Sequence, residues 1–170
     1  MSVTSAIFSS LGICIVGAIL EGLAAGNNVK PFFARLRFPP YSAPLWVWYI
    51  IGALYYIICF VILYRLFRYH GNTSLWNIAL TLVLVVMATN ALWNYIFFRA
   101  RNLWGAFLLG FPYTLVAIGL FVCLTQFDKV AAWAFVPYLI YLIYAAWWSY
   151  GLLKLNRSPE SQISNYQDYH

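Results

Sequence analysis

The sequence predicts an all-α membrane protein, a five-transmembrane-helix bundle with a long, partly ordered first loop. The first observation is composition: 64% of the 170 residues are hydrophobic and 8% are charged, far from the balance of an ordinary soluble domain. The second is length. The apolar residues fall into five runs, each of about 20 residues or more, which is what crossing the hydrocarbon core asks of a helix. The third is spacing. The connections leave no room for a separate soluble domain, so residues 1–157 read as one transmembrane domain and residues 158–170 as a polar, disordered tail.

A net charge of +6 would suggest nucleic acid in a soluble protein, but nearly all the basic residues lie between apolar runs, where they orient the chain in a membrane. Nucleic acid is therefore not an expected partner. Cys14, Cys59 and Cys123 are widely separated and each sits inside an apolar run, which reads as buried thiols rather than a disulfide framework or a metal site. The first run lacks a preceding basic stretch and a convincing cleavage site, so it is read as a mature span.

The first span, Thr4 to Ala25, carries Gly12, Gly17 and Gly22 among other small residues that permit close helix contact. Glu21 is the sole acidic residue within any span. Two readings of it stay open: a carboxylate near the helix end that reaches the interface, or one with an internal partner in a cavity. A 19-residue connection follows, Gly26 to Pro44, carrying Lys30, Arg35 and Arg37. Long ordered loops tend to carry function, and this one reads as a lid across one end of the bundle, with a short helix from Pro31 to Leu36. Pro39, Pro40 and Pro44 fix φ and withhold backbone donors, so the approach to Leu45 or Trp46 is an ordered, non-helical hinge.

The second span, Leu45 to Phe67, opens with a dense aromatic run that includes Trp46, Trp48, Tyr49, Tyr55 and Tyr56. Large apolar faces with polar tips suit either a membrane interface or the wall of a cavity. Tyr64, Arg65, Arg68 and Tyr69 form a belt at its far end, and His70, without a partner at ligand spacing, reads as a loop residue rather than a metal ligand. The third span, Leu75 to Phe98, places Asn90 and Asn94 on one helical face beside Trp93. Amides in hydrocarbon need partners across the bundle, either as structural glue or as polar contacts for a ligand. The fourth span, Trp104 to Thr125, holds Pro112, which predicts a kink, and Gln126 to Lys129 then turn the chain. In the fifth, Val130 to Leu155, Tyr141, Tyr144 and Trp148 share one stripe, as ordinary core or as one side of a cavity.

No acidic pair falls at general acid–base spacing, and there is no glycine-rich phosphate loop and no Ser–His or Cys–His arrangement, so no catalytic or metal-binding residues are assigned. A transporter would be expected to show paired repeats or several intramembrane ionisable groups. What stands out is aromatic content, with 13 Phe, 14 Tyr and 8 Trp. Trp46, Trp93 and Trp148, on three different spans, suit a pocket for a flat, apolar ligand.

Three ordered motifs resemble one family. Leu36, Pro39, Pro40, Tyr41, Ser42, Pro44, Trp46 and Tyr56 are similar to the first-loop motif of the translocator protein family, also called the tryptophan-rich sensory protein or peripheral-type benzodiazepine receptor family. Asn90, Trp93, Phe97 and Phe98 resemble its third-helix signature, and Ala132, Trp133, Pro137, Tyr138, Ala145 and Asn156 its fifth-helix signature. The resemblance implies a five-helix bundle, often a homodimer, whose first loop closes a cavity for porphyrins, sterols or aromatic drugs. It implies an integral membrane receptor or carrier in tetrapyrrole handling or stress signalling, with light-dependent porphyrin degradation or a ligand-free scaffold as alternatives. No cofactor is required on this reading; porphyrin or haem enters as ligand, and membrane lipids are the other expected partners. The expected ligand-binding residues are Trp46, Tyr49, Asn90, Trp93, Tyr138, Tyr141, Ala145 and Trp148, with Pro39, Pro40 and Pro44 as lid or hinge.

The chain departs from the family pattern at definite places. Phe38 stands where a lysine is usual, Ala43 where a proline is, and Gly52 where a pocket tryptophan is. Tyr95, Val86, Tyr141 and Ser149 replace a common proline, glutamine, tryptophan and asparagine. Trp48, Tyr141 or Trp148 could supply a replacement aromatic surface. For orientation, Lys30, Arg35, Arg37, Arg99, Arg101, Lys154 and Arg157 lie on the side of the first loop, against Arg65, Arg68 and Lys129 on the other. That asymmetry predicts the first loop and the C-terminus in the cytoplasm.

Overall fold

The computed structural model describes residues 1–69 and 74–156, so His70, Arg157 and the expected polar tail lie outside the described residues. Those described are 87% helix with no strand. The elements are α1 (Val3–Ala25), α2 (Val29–Ala34), α3 (Leu45–Arg68), α4 (Ser74–Asn94) with a π-helical turn (Tyr95–Arg99) continuing it, α5 (Leu103–Phe127) and α6 (Lys129–Asn156). Five of these segments, α4 counted together with its π turn, are long and apolar enough to cross a membrane.

Local chemistry sets the boundaries. Ser2 caps α1, its hydroxyl accepting the Ser5 amide at 3.1 Å. Gly26 ends it at φ 72°, a left-handed conformation that favours glycine, and its amide donates to the Gly22 carbonyl. Pro44 has extended backbone, φ −66° and ψ 159°, and leads directly into α3. Asn102 accepts the Gly105 amide at 2.8 Å to start α5. Asp128 starts α6, its Oδ1 accepting the amides of Val130 and Ala131 at 2.9 and 3.1 Å.

The spans follow the sequence reading to within two residues at each end. Three details differ. The third span does not stay α-helical to its end but widens into the π turn that begins at Tyr95. The connection before α6 shrinks to Asp128, because Gln126 and Phe127 continue α5. The short helix of the first loop begins at Val29, so Pro31 lies within its first turn. α5 and α6 run on through Pro112 and Pro137 as single helices.

The helices close into a ring in the spatial order α1, α3, α6, α5, α4 and back to α1. Large apolar side chains such as Phe8, Ile57, Ile118 and Ile143 point outward from it, where acyl chains would cover them. Inside, the ring has two unlike halves. In one, Cys59, Ile62, Leu63 and Leu66 of α3 interlock with Ala79, Val83 and Val86 of α4, Ala117, Leu120 and Leu124 of α5 and Ala131, Ala132 and Phe135 of α6. Cys14, Cys59 and Cys123 are all buried free thiols there. An ion pair joins this end, with Arg65 Nε 2.6 Å from Asp128 Oδ2. The other half is built from aromatic residues and is covered by the first loop.

Candidate functional site

The second half of the ring encloses a cavity of about 680 Å³. All five spans and α2 contribute to its walls: Ala18 and Glu21 from α1, Phe33 from α2, Trp48, Gly52, Tyr55 and Tyr56 from α3, Asn90, Trp93 and Asn94 from α4, Gly110 and Tyr113 from α5, Tyr141, Ala145 and Trp148 from α6. Gly52 and Gly110 leave the wall open beside them. A Cβ built on Gly52 or Gly110 meets nothing within 4 Å.

Of the residues expected to contact ligand, Tyr49, Asn90, Trp93, Tyr138, Tyr141, Ala145 and Trp148 line this cavity. Trp46 does not; it is 63% exposed on the outside of α3. The α3 wall residues Leu45, Trp48, Gly52 and Tyr55 recur every three or four positions, with Tyr49 and Tyr56 beside them, and Trp46 sits about 100° around the helix from Leu45, off that stripe. Trp48 takes the place within the wall, its ring 4.4 Å from Trp148 and 6.2 Å from Tyr141. Trp93 lies parallel to Phe97 at 4.7 Å, and Phe97 in turn is 5.8 Å from Trp148. The π turn supplies Phe97 and Phe98 to this cluster, where they meet Phe32 of α2 edge-on.

The loop expected to act as a lid is tied to α6. Asn156 reads the backbone of Arg37 from both sides, accepting its amide at 3.1 Å and donating to its carbonyl at 2.9 Å. Trp148 Nε1 donates to Ser42 Oγ at 3.1 Å, and Ser42 donates to the Pro39 carbonyl at 2.8 Å. The Ala43 amide donates to Tyr144 Oη at 3.1 Å, while the Ala43 carbonyl accepts from Trp48 Nε1 at 3.0 Å. A proline at position 43 could not make the first of these bonds, which gives that departure a physical account. Phe38, in the usual place of lysine, packs 4.6 Å from Phe33 and 6.4 Å from Trp148. Pro39 is buried against Gly151, whose missing Cβ would lie 2.8 Å from the proline ring. Pro40 is exposed, and Pro44 stands at the junction with α3.

Polar groups gather at two places on the walls. Glu21 turns inward: Oε2 accepts from Tyr56 Oη at 2.7 Å and Asn90 Nδ2 at 2.8 Å, and Oε1 accepts from Asn94 Nδ2 at 3.0 Å. The internal-partner reading of this residue is the one the structure adopts. Deeper in the cavity, Tyr113 and Tyr138 share a hydroxyl–hydroxyl hydrogen bond, and the buried Tyr55 hydroxyl has no hydrogen-bond partner among the described residues. Asn156, Gly151, Ser42 and Tyr144 were not singled out from sequence as lid contacts. The motif matches at Ser42 and Asn156, and the helical stripe that holds Tyr144, were the signals pointing that way. Among the described residues no three His, Cys, Asp or Glu side chains come together as a metal site.

These features define a class: a multi-pass membrane protein whose spans enclose an aromatic, ligand-sized cavity beneath its first loop. The TspO/MBR family model matches residues 10–155, and the chain belongs to that family. No curated protein matches the sequence significantly.

Proposed function

We propose that the protein is a membrane receptor or carrier whose cavity binds a flat, apolar cyclic ligand of the porphyrin or sterol class, with a role in tetrapyrrole handling or stress signalling. The observation that carries this reading is the cavity itself. Its volume of about 680 Å³ falls within the ~300–1,000 Å³ usual for small-molecule sites. Trp48, Trp93, Tyr141 and Trp148 offer ring faces to a flat ligand, and a loop held by hydrogen bonds covers the space. Binding of this kind needs no cofactor, and porphyrin or haem would be cargo rather than a resident group.

Titration with protoporphyrin, read as quenching of tryptophan fluorescence, tests the proposal. Saturable quenching is expected, and the Trp93→Ala, Trp148→Ala double variant should weaken it at least tenfold. Quenching unchanged in the double variant would remove the cavity as the site.

The proposal includes orientation and assembly. The first loop, the Arg99–Arg101 connection and the C-terminal end of α6 gather at one end of the bundle, through the Arg37–Asn156 and Phe32–Phe97 contacts. We read this more basic end as the cytoplasmic one. A cysteine placed at exposed Asn27 should react with an impermeant maleimide only from that side. The homodimer implied by the family resemblance would be measured by native mass spectrometry from nanodiscs.

A further inference from the structure

Where the C-terminus of α1 meets the end of the π turn there is a second, smaller recess of about 410 Å³, lined by Leu23, Gly26, Asn27, Asn28, Arg99 and Arg101. Leu23, both asparagines and both arginines are exposed, so it opens to the outside of the ring. Its charge is one-sided. Arg99 uses one of a guanidinium's five N–H donors on the Leu23 carbonyl at 3.4 Å, and the Arg101 side chain makes no hydrogen bond or ion pair among the described residues. The two acidic residues described are engaged elsewhere, Glu21 with Tyr56, Asn90 and Asn94, and Asp128 with Arg65 at the far end. Arg101 also has φ 53°, the left-handed region where glycine is at ease and a larger residue is not. A charged side chain held there without a protein partner calls for one from outside.

An apolar groove leads away from the recess. Arg99 bonds the backbone of exposed Leu23 on α1, and its guanidinium lies 6.0 Å from the ring of exposed Tyr95 on the π turn. Leu20 and Val16 continue the α1 flank three and seven residues back, and Leu92 continues the α4 flank three residues back, all of them exposed. We propose that the recess binds one anionic phospholipid, its phosphate held by Arg99 and Arg101 and an acyl chain lying along the groove between α1 and α4. Asn27 supplies an amide donor to the headgroup, as does Asn28, whose side chain makes no capping bond to α2. A zwitterionic lipid would bring an ammonium group to two guanidiniums and no carboxylate, so the anionic headgroup is preferred. The site lies outside the cavity and does not depend on what the cavity binds.

Native mass spectrometry of the full chain in detergent, titrated with palmitoyl-oleoyl phosphatidylglycerol or phosphatidylcholine, counts bound lipids one at a time. The first phosphatidylglycerol should bind about tenfold more tightly than the first phosphatidylcholine. Arg99→Gln with Arg101→Gln should abolish that preference. Arg35→Gln with Lys154→Gln, which removes the same charge from exposed positions at the same end, should keep it. Arg101→Gly should weaken phosphatidylglycerol binding about tenfold without lowering the unfolding midpoint, since glycine suits this backbone, so the loss is not one of folding. Equal binding of the two lipids by the wild-type chain overturns the proposal, as does wild-type preference in the Arg99, Arg101 pair or in Arg101→Gly. An equal loss in the Arg35, Lys154 pair overturns it too, by reducing the effect to diffuse attraction toward a basic end. Glycerol 3-phosphate in large excess offers the phosphate without acyl chains and should leave the lipid bound. Full displacement by it would make the recess a simple anion site and end the assignment to lipid.

Discussion

Where α3 leads toward α4, Ile62, Leu63, Leu66, Val83, Val86, Leu120 and Leu124 interlock with no exposure at all; at the other end the same helices carry tryptophan, tyrosine, asparagine and glycine and leave about 680 Å³ open. Both regions belong to the same apolar spans, so the hydropathy of a span as a whole does not separate them. Shape does. Branched aliphatic side chains and alanine fit between close helices, whereas rigid rings packed around Gly52 and Gly110 leave gaps their neighbours cannot flex to fill. Polar groups divide the same way: the packed end has one ion pair that also caps a helix, and the hollow end has an amide–phenol–carboxylate set facing the cavity.

The largest effect should come from opening a gap in the packed half. Leu63→Ala is expected to cost about 2–5 kcal/mol of stability, seen as a lower unfolding midpoint in detergent, with ligand affinity of the folded protein unchanged. Next, Asp128→Ala removes the α6 cap and strands Arg65, at a cost of about 1–3 kcal/mol in the same assay. Both changes should spare the cavity; a matching loss of binding would merge the two regions into one.

At the hollow end Gly151→Ala drives a methyl group against the Pro39 ring, a rigid neighbour that cannot swing aside as the Met87 side chain near Gly17 can. Overpacking of about 1 kcal/mol against the loop is expected. Amides from Arg37 to Leu45 should then exchange hydrogen faster while those of Leu63 and Val83 do not. The smallest effect is a gain: Gly52→Trp, placing an indole in open space, should tighten binding of an aromatic ligand by about 0.5–1.5 kcal/mol, measured by titration.

The spans were legible because length and apolarity alone decide them, and the non-helical approach to α3 because Pro39, Pro40 and Pro44 fix φ and withhold donors in any context. Other features depend on partners far along the chain. The π turn at Tyr95 carries no proline or glycine to announce it, and it forms where Phe97 can pack against Trp148 and Phe32. Trp46 and Trp48 look alike in sequence, but helical phase sends the first to the lipid face and the second to the cavity. Glu21 was ambiguous until Tyr56, Asn90 and Asn94, on two other spans, came within hydrogen-bonding distance. In a membrane bundle both faces of a helix are apolar, so periodicity marks the cavity stripe poorly.

The central claim is that the hollow half is the binding site, and filling it tests that most directly. Protoporphyrin affinity should be measured for Ala145→Trp, which places an indole on the cavity wall, and for Ile143→Trp, two residues away on the lipid-facing side of α6 where the native side chain is 74% exposed. The account predicts that Ala145→Trp loses saturable binding while Ile143→Trp keeps it at the wild-type level. Equal affinity in the two variants would contradict it.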